Sequence, residues 1–257
     1  MRAHLRNVGK AWFLTYAGLT DPPSENIKGT IMTARDPDEI EPDLFAAPAP
    51  RAERSPYRSL AAAREDAASC RRCPLYRNAT QTVFGEGAAH ARVVFVGEQP
   101  GDQEDLQGRP FVGPAGQVFD RALEQAGIDR KRVYVTNAVK HFKFEPRGKR
   151  RLHQKPNNAE IEACRWWLDA ELDLLRPQLA VALGATAARA LTGRDMTISR
   201  TRGRLMRLRA GVEGFITVHP SFLLRLPDPE SKQREFAHFV ADLKLVAKHQ
   251  PEIRTAA

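Results

Sequence analysis

The sequence predicts an α/β fold: three layers, α/β/α, around a central, mainly parallel four-stranded sheet. Two patterns carry this reading. Strand-length apolar runs recur at Arg92 to Val96, Arg132 to Val139, Leu179 to Leu183 and Gly214 to Val218, and each lies between helix-like segments. Strands that are apolar on both faces must be covered on both faces, which is the situation of a parallel sheet with crossover helices.

The helices follow in order. Val118, Phe119, Ala122, Leu123 and Ala126 repeat at helical spacing, and Gly127 supplies the stop. Asn157 followed by Glu160 forms a capping-box pattern that opens a helix from Asn158 to Leu175. A third helix runs through Ala185 to Leu191 and ends at Gly193, and a last one covers Gln233 to Lys248.

Residues 1–55 read differently. Six prolines between Pro22 and Pro50, an acidic stretch from Asp36 to Asp43 and little periodicity predict a disordered extension, with 56–257 as the folded domain and Met32 as an alternative start. Ala11-Trp12-Phe13-Leu14 after Arg2, Arg6 and Lys10 is too interrupted for a signal peptide, so a cytoplasmic protein is expected. No run approaches the ~20 apolar residues of a membrane span.

Charge points to a phosphate-bearing partner. Forty Lys and Arg oppose 31 Asp and Glu, a formal charge of +9. The excess is clustered: Lys140, Lys143, Arg147, Lys149, Arg150, Arg151 and Lys155 face only Glu145 in one segment, and Arg200, Arg202, Arg204, Arg207 and Arg209 crowd another. His153 falls at the end of the first cluster, in a loop that can grip phosphates through Lys149, Arg150 and Arg151. The surrounding positive charge would leave its imidazole a neutral nucleophile.

Ligands of parallel sheets collect at the carboxyl ends of the strands. Those ends carry Gly97-Glu98-Gln99-Pro100-Gly101, Asn137-Ala138-Val139-Lys140-His141, Gly184-Ala185-Thr186 and His219-Pro220-Ser221. One rim thereby gathers a carboxylate, two amides and a histidine, with the His153 loop after the second strand. Glycine there permits close approach of a ligand to backbone.

Cysteine usage adds a second constellation. Cys70 and Cys73 form a CxxC pair and Cys164 lies far along the chain, with His141 as the best fourth ligand. A 4Fe-4S cluster and a tetrahedral zinc site both fit these residue types.

Cys70-x2-Cys73, Phe84-Gly85-Glu86-Gly87, Val93 to Gly101, Gly108-Arg109-Pro110-Phe111-Val112-Gly113, Asn137-Ala138-Val139-Lys140 and His219-Pro220-Ser221 together resemble the iron–sulfur uracil-DNA glycosylases of the family 4 type. The resemblance covers about 60 to 248. Gly-Glu-Gln-Pro-Gly and the inserted Lys149 to His153 loop look like the branch called UdgX, which excises uracil and stays covalently bonded to DNA. The family 4 cysteine after Asn-x-Val-Lys is His141 here, and the span to Cys164 is longer by the inserted loop.

The resemblance implies an iron–sulfur cluster-binding region on Cys70, Cys73, His141 and Cys164, and roles that chemistry supports. Phe111 would stack on the extruded base. Asn137 would accept from uracil N3–H and donate to O4, a pattern cytosine reverses. His219 matches the family's histidine beside uracil O2, where it stabilises the departing base. By the same analogy Gln99 is a pocket residue near base or sugar, with Gly97 and Ser221 beside it. Glu98 would serve the cationic sugar, and His153 would bond to C1′. Arg151 and its basic neighbours would hold the flanking phosphates. The expected partner is uracil-containing DNA, single-stranded for preference, bound by a monomer.

Two other readings compete. One is an ordinary multi-turnover glycosylase whose loop only binds DNA. The other is a non-catalytic iron–sulfur module that binds nucleic acid, against which Glu98, Asn137 and His219 argue jointly. A nucleotide-binding α/β protein fits less well, because the first strand lacks Gly-x-Gly-x-x-Gly and a P-loop Lys-Ser/Thr.

Overall fold

Every apolar run of the sequence becomes one strand of a single sheet in the structure, a computed structural model that describes residues 55–208 and 211–255. The expected N-terminal extension, apart from Ser55, lies outside the described residues. In chain order come α1 (Leu60–Ala67), a 3-10 turn (Pro74–Arg77), β1 (Glu86–Gly87), β2 (Val93–Gly97), α2 (Asp102–Gln107), α3 (Pro114–Ala126) and β3 (Tyr134–Asn137). Then follow β4 (Phe144–Arg147), β5 (Arg150–His153), α4 (Asn158–Leu175), β6 (Leu179–Leu183) and α5 (Ala185–Thr192). The remainder is α6 (Ile198–Thr201), β7 (Leu205–Arg207), β8 (Glu213–Thr217), α7 (Pro220–Arg225) and α8 (Pro229–His249).

The sheet has six strands rather than four, in the order β1-β3-β2-β6-β8-β7. The predicted runs β2, β3, β6 and β8 form its parallel centre. Short antiparallel strands β1 and β7 close the two edges, so the sheet is mixed. Alternation along β2 shows how the layers form. Val94 and Val96 join one cluster with Ile161, Trp167 and Leu168 of α4 and Ala187 and Ala188 of α5. Val93 and Phe95 join the other, with Phe119 and Leu123 of α3 and Phe239 and Leu243 of α8. Each central strand thus feeds both cores, as the period of two in a strand requires.

Helix ends match the sequence signals. Gly127 and Gly193 take left-handed conformations, φ 72° and 76°, past α3 and α5. The Asn157 side chain accepts from Glu160 N–H and Glu160 reaches back to Asn157 N–H, completing the capping box of α4. The last helix starts at Pro229, four residues before Gln233, behind an Asp228 cap.

The segment expected to be a basic loop is instead a hairpin. β4 and β5 pair antiparallel outside the main sheet, with Phe144 opposite His153 and Arg147 opposite Arg150. His153 therefore occupies the last position of a strand, where backbone pairing fixes it. Among the described residues no helix is long and apolar enough to cross a membrane.

Candidate active site

The rim at the carboxyl ends of β2 and β3 is built by continued pairing. Ala138 N–H donates to the Gly97 carbonyl at 2.9 Å and Val139 N–H to the Glu98 carbonyl at 3.0 Å, so both chains leave the sheet side by side. A Cβ on Gly97 would collide with Asn137 Oδ1 and lie 2.7 Å from Phe111 Cζ. The carboxamide and the aromatic ring therefore converge on one point, and only glycine leaves room for it. Asn137 is 2% exposed, and its carboxamide forms no hydrogen bond among the described residues.

Phe111 reaches this point through a left-handed backbone, φ 57°. Glycine at 116, in the first turn of α3, makes room for it: a Cβ there would strike the Phe111 carbonyl. Glu104 accepts from Gly113 N–H at 2.7 Å and from Gly101 N–H at 3.1 Å, tying the Phe111 loop to the turn after β2. Such strain persists only where the surroundings overdetermine it.

His219 stands 6.1 Å from the Phe111 ring, centroid to centroid and near parallel. Its Nδ1 accepts from Ser221 N–H at 3.2 Å, with Ser221 Oγ at 2.8 Å. Arg225 donates to that Oγ at 2.9 Å, which leaves the hydroxyl proton directed at Nδ1. The imidazole proton is thereby placed on Nε2, which has no partner among the described residues. Burial, with lesser effects of Glu98, Arg225 and His153, pushes the His219 pKa down to about 4. Near neutral pH the residue is a neutral donor. Ser221, expected in contact with substrate, sits behind the imidazole and sets its tautomer.

Glu98 contacts His153 and lies within charge range of His219. Oε1 lies 3.3 Å from His153 Nε2, and Oε2 accepts from Thr186 Oγ1 at 2.5 Å. Burial works to raise its pKa, but the His153 and Thr186 contacts and the nearby His219 outweigh it and hold the carboxylate below its usual range. The His153 side chain is 51% exposed and packs 6.1 Å from Phe142. It faces a carboxylate, not the cations next to it in sequence.

Two expected ligand contacts turn out to be anchors of the hairpin. Gln99 Nε2 donates to the carbonyls of Lys143 and Gln154 at 3.2 and 2.9 Å, and Oε1 accepts from Lys143 N–H at 3.0 Å. Its carboxamide clasps both feet of the hairpin. Arg151 pairs with Asp102 and Asp105, each at 2.6 Å, and its guanidinium lies over Phe142 and Phe144. Paired with two carboxylates, it fixes the strand that bears His153. Lys149 and Arg150 are exposed at the hairpin tip and have no carboxylate partner among the described residues.

Sequence reading overlooked a buried network beneath Asn137. Lys140 Nζ donates to the Asn137 carbonyl at 2.7 Å, to Thr136 Oγ1 at 2.6 Å and to Glu171 Oε2 at 2.6 Å, with both charged side chains fully buried. Glu171 also accepts from Gly85 N–H and from the hydroxyls of Tyr134 and Thr136. Thr186 was likewise unassigned. Its place directly after the third strand, on the same rim as Glu98, was the available signal.

Cys70, Cys73 and Cys164 are all buried free thiols. Burial pushes the Cys164 thiol up to about 12, against a smaller lowering by Lys140, and the other two thiols lie near enough to add to it. Trp167 Nε1–H donates to Cys70 Sγ at 3.0 Å and Lys140 N–H to Cys164 Sγ at 3.1 Å. His141 shares a 2.9 Å contact with Thr82 through Nε2, while its buried Nδ1 has no partner. Three buried sulfurs, two of them receiving N–H donors, and an orphaned imidazole nitrogen fit an iron–sulfur cluster in donor type. The expected closed set of four is not seen, however: no group of three or more His, Cys, Asp or Glu among the described residues is arranged to hold a metal ion.

Fold and rim define a three-layer α/β protein that gathers an amide, an aromatic ring and a neutral histidine at the carboxyl edge of its sheet. Residues 84–244 match the uracil DNA glycosylase superfamily, and the chain belongs to it. It is 41% identical over 157 residues to a type-4 uracil-DNA glycosylase of Thermotoga maritima, covering 61% of this chain and 78% of that one. A type-4 uracil-DNA glycosylase of Pyrobaculum aerophilum is 38% identical, covering 66% and 88%. A type-5 uracil-DNA glycosylase of the same organism is 31% identical, covering 58% and 71%.

Proposed function

We propose that the protein is a uracil-DNA glycosylase of the family 4 kind. The observation that carries this is the convergence of Asn137 and Phe111 over Gly97, with the neutral imidazole of His219 beside them. The relatives named as type-4 enzymes support it. Asn137 reads the uracil edge and Phe111 covers its face. The C1′–N1 bond breaks with its electron pair going to uracil, and His219 Nε2–H donates to the negative charge that develops there. Glu98, held ionised, faces the cationic sugar; water bonds to C1′ and its proton passes to Glu98 or solvent. Single-stranded DNA is the expected substrate form, since no pairing has to be broken, and the protein acts as a monomer.

Cys70, Cys73, Cys164 and His141 would hold an iron–sulfur cluster. When bound it supplies a cross-link among segments distant in sequence, with no part in the chemical step.

A second end point rests on one contact. His153 Nε2 adjoins Glu98, so its imidazole is within reach of the group that serves the sugar. Bonding of a ring nitrogen to C1′, followed by loss of the other ring proton, would give a stable N-glycosidic product and end turnover, as in UdgX. The type-4 relatives support ordinary hydrolysis instead, and that is the principal reading. Incubation with a uracil-containing oligonucleotide decides: the count of free uracil tests excision, and denaturing electrophoresis tests trapping. No uracil release overturns the first proposal. Release of many uracils per protein molecule, with no boil-resistant band, overturns the second.

A further inference from the structure

We infer that a second nucleic-acid contact runs from the hairpin onto the surface around the CxxC segment, where it holds single-stranded DNA flanking the uracil. This rests on the glycosylase reading. The 3-10 turn Pro74–Arg77 presents Tyr76 between two guanidiniums, Arg71 at 5.7 Å and Arg77 at 5.9 Å from its ring. Beside it Arg72 lies 4.2 Å from the ring of Trp166, which projects from α4 and is 40% exposed. All three arginines are exposed, and none has a carboxylate partner among the described residues.

That lack of partners is not general. Arg92, Arg130 and Arg132, at the starting ends of β2 and β3, each meet a carboxylate: Glu252, Asp120 and Asp129. Arg71, Arg72 and Arg77 thus keep an open charge while these three cations at the far end are neutralised. An exposed Trp166 ring and a half-buried Tyr76 ring among open cations suit a ligand with both phosphates and π faces, which is the chemistry of a nucleic-acid single strand. An acidic protein surface would use the cations and leave the Trp166 and Tyr76 rings without a purpose.

The patch is also continuous with the pocket. Arg151 donates to Thr80 Oγ1 at 3.3 Å, and Thr80 N–H in turn meets Asp105. Arg77 is three residues before Thr80, at most about 10 Å of extended chain. The open cations Lys149 and Arg150 at the hairpin tip lie along the same path. A strand leaving the pocket past the hairpin meets Arg77 and Tyr76 next, and Arg72 with Trp166 beyond them.

The test compares single-turnover excision from a uracil oligonucleotide of about seven nucleotides with one of about twenty, extended on either side of the uracil. Wild-type protein should process the long substrate about tenfold more efficiently when the extension lies on one side, and high salt should erase the gain. The double variant Tyr76→Ala/Arg77→Glu and the single variant Trp166→Ala should each lose most of that gain while the rate on the short substrate stays within about twofold. If both variants keep the length advantage, or the wild type has none on either side, the inference is overturned. Absence of excision from both substrates by the wild type would instead overturn the glycosylase reading.

Discussion

His153 Nε2 lies 3.3 Å from Glu98 Oε1, although the two residues come from different elements and His153 is surrounded in sequence by arginine and lysine. The carboxylate can orient the imidazole, accept its proton, or face the sugar cation. Glu98→Gln keeps shape and removes charge. It should slow excision by about 10²- to 10⁴-fold with base choice intact, measured as single-turnover uracil release. His153→Ala should leave uracil release within about tenfold of wild type and abolish any boil-resistant band. A band that survives the substitution would exclude His153 as the nucleophile.

Base recognition should depend on the convergence over Gly97. Asn137→Ala is expected to reduce uracil excision by at least about 10³-fold, the discrimination carried by a buried, hydrogen-bonding site, with binding to undamaged DNA little changed. Gly97→Ala should cause a comparable loss, because its methyl group would occupy the place where amide and ring meet. Excision assays beside fluorescence anisotropy on undamaged DNA separate the two effects.

The pH dependence follows from His219. Its pKa falls from 6.5 in the unfolded chain to about 4 in the fold, so the unfolded chain binds more protons between those values. Stability attributable to this group is therefore full above about pH 6.5 and declines as pH falls towards about 4. Excision should persist through that window and fail near its lower end, when protonation takes Nδ1 from Ser221 N–H. Rate profiles of wild type and Ser221→Ala check this, with the variant losing activity at higher pH. A wild-type rate that falls with a midpoint near 6.5 would refute it.

Hairpin anchoring should be measurable apart from chemistry. Arg151→Ala removes the charged partner of the fully buried Asp105, leaving it the Thr80 N–H, and should cost about 1–3 kcal/mol, discounted because Arg151 itself is partly exposed. Gln99→Ala should release the feet of the hairpin. Both variants are expected to speed proteolysis between Lys143 and Gln154 and to slow excision, without altering preference for uracil over cytosine.

Removal of the cluster should act on stability first. Purified protein is expected to be brown, with broad absorbance near about 400 nm, and Cys73→Ser or iron chelation should lower the melting temperature before it changes the rate of the folded fraction. Stoichiometric zinc without iron would replace the cluster with the alternative ion.

The sequence revealed the parts governed by short-range pattern. The four central strands were legible because burial on both faces makes continuous apolar runs, and the capping box at Asn157 because its two residues lie in one turn. β1 and β7 escaped, being two and three residues long and only partly buried. The hairpin escaped because Pro146 and four basic residues mask its alternation. Rim membership of Glu98, Asn137 and His219 was readable from the strand ends. The tasks of Gln99, Arg151 and Ser221 were not, since side-chain direction depends on partners; those of Gln99 lie 44 and 55 residues away.

Burial of Lys140 against Glu171 bears on how the chain chooses among competing arrangements. The apolar face of α4 alone would tolerate sliding along the sheet by a turn, since one leucine or alanine packs much like the next. A slid helix would separate ammonium from carboxylate and leave each alone in the dry interior, at about 3–5 kcal/mol. The pair therefore acts as a registration mark. It penalises every misaligned state while adding little to the correct one, and it sets its mark three residues past Asn137, whose carbonyl Lys140 also holds.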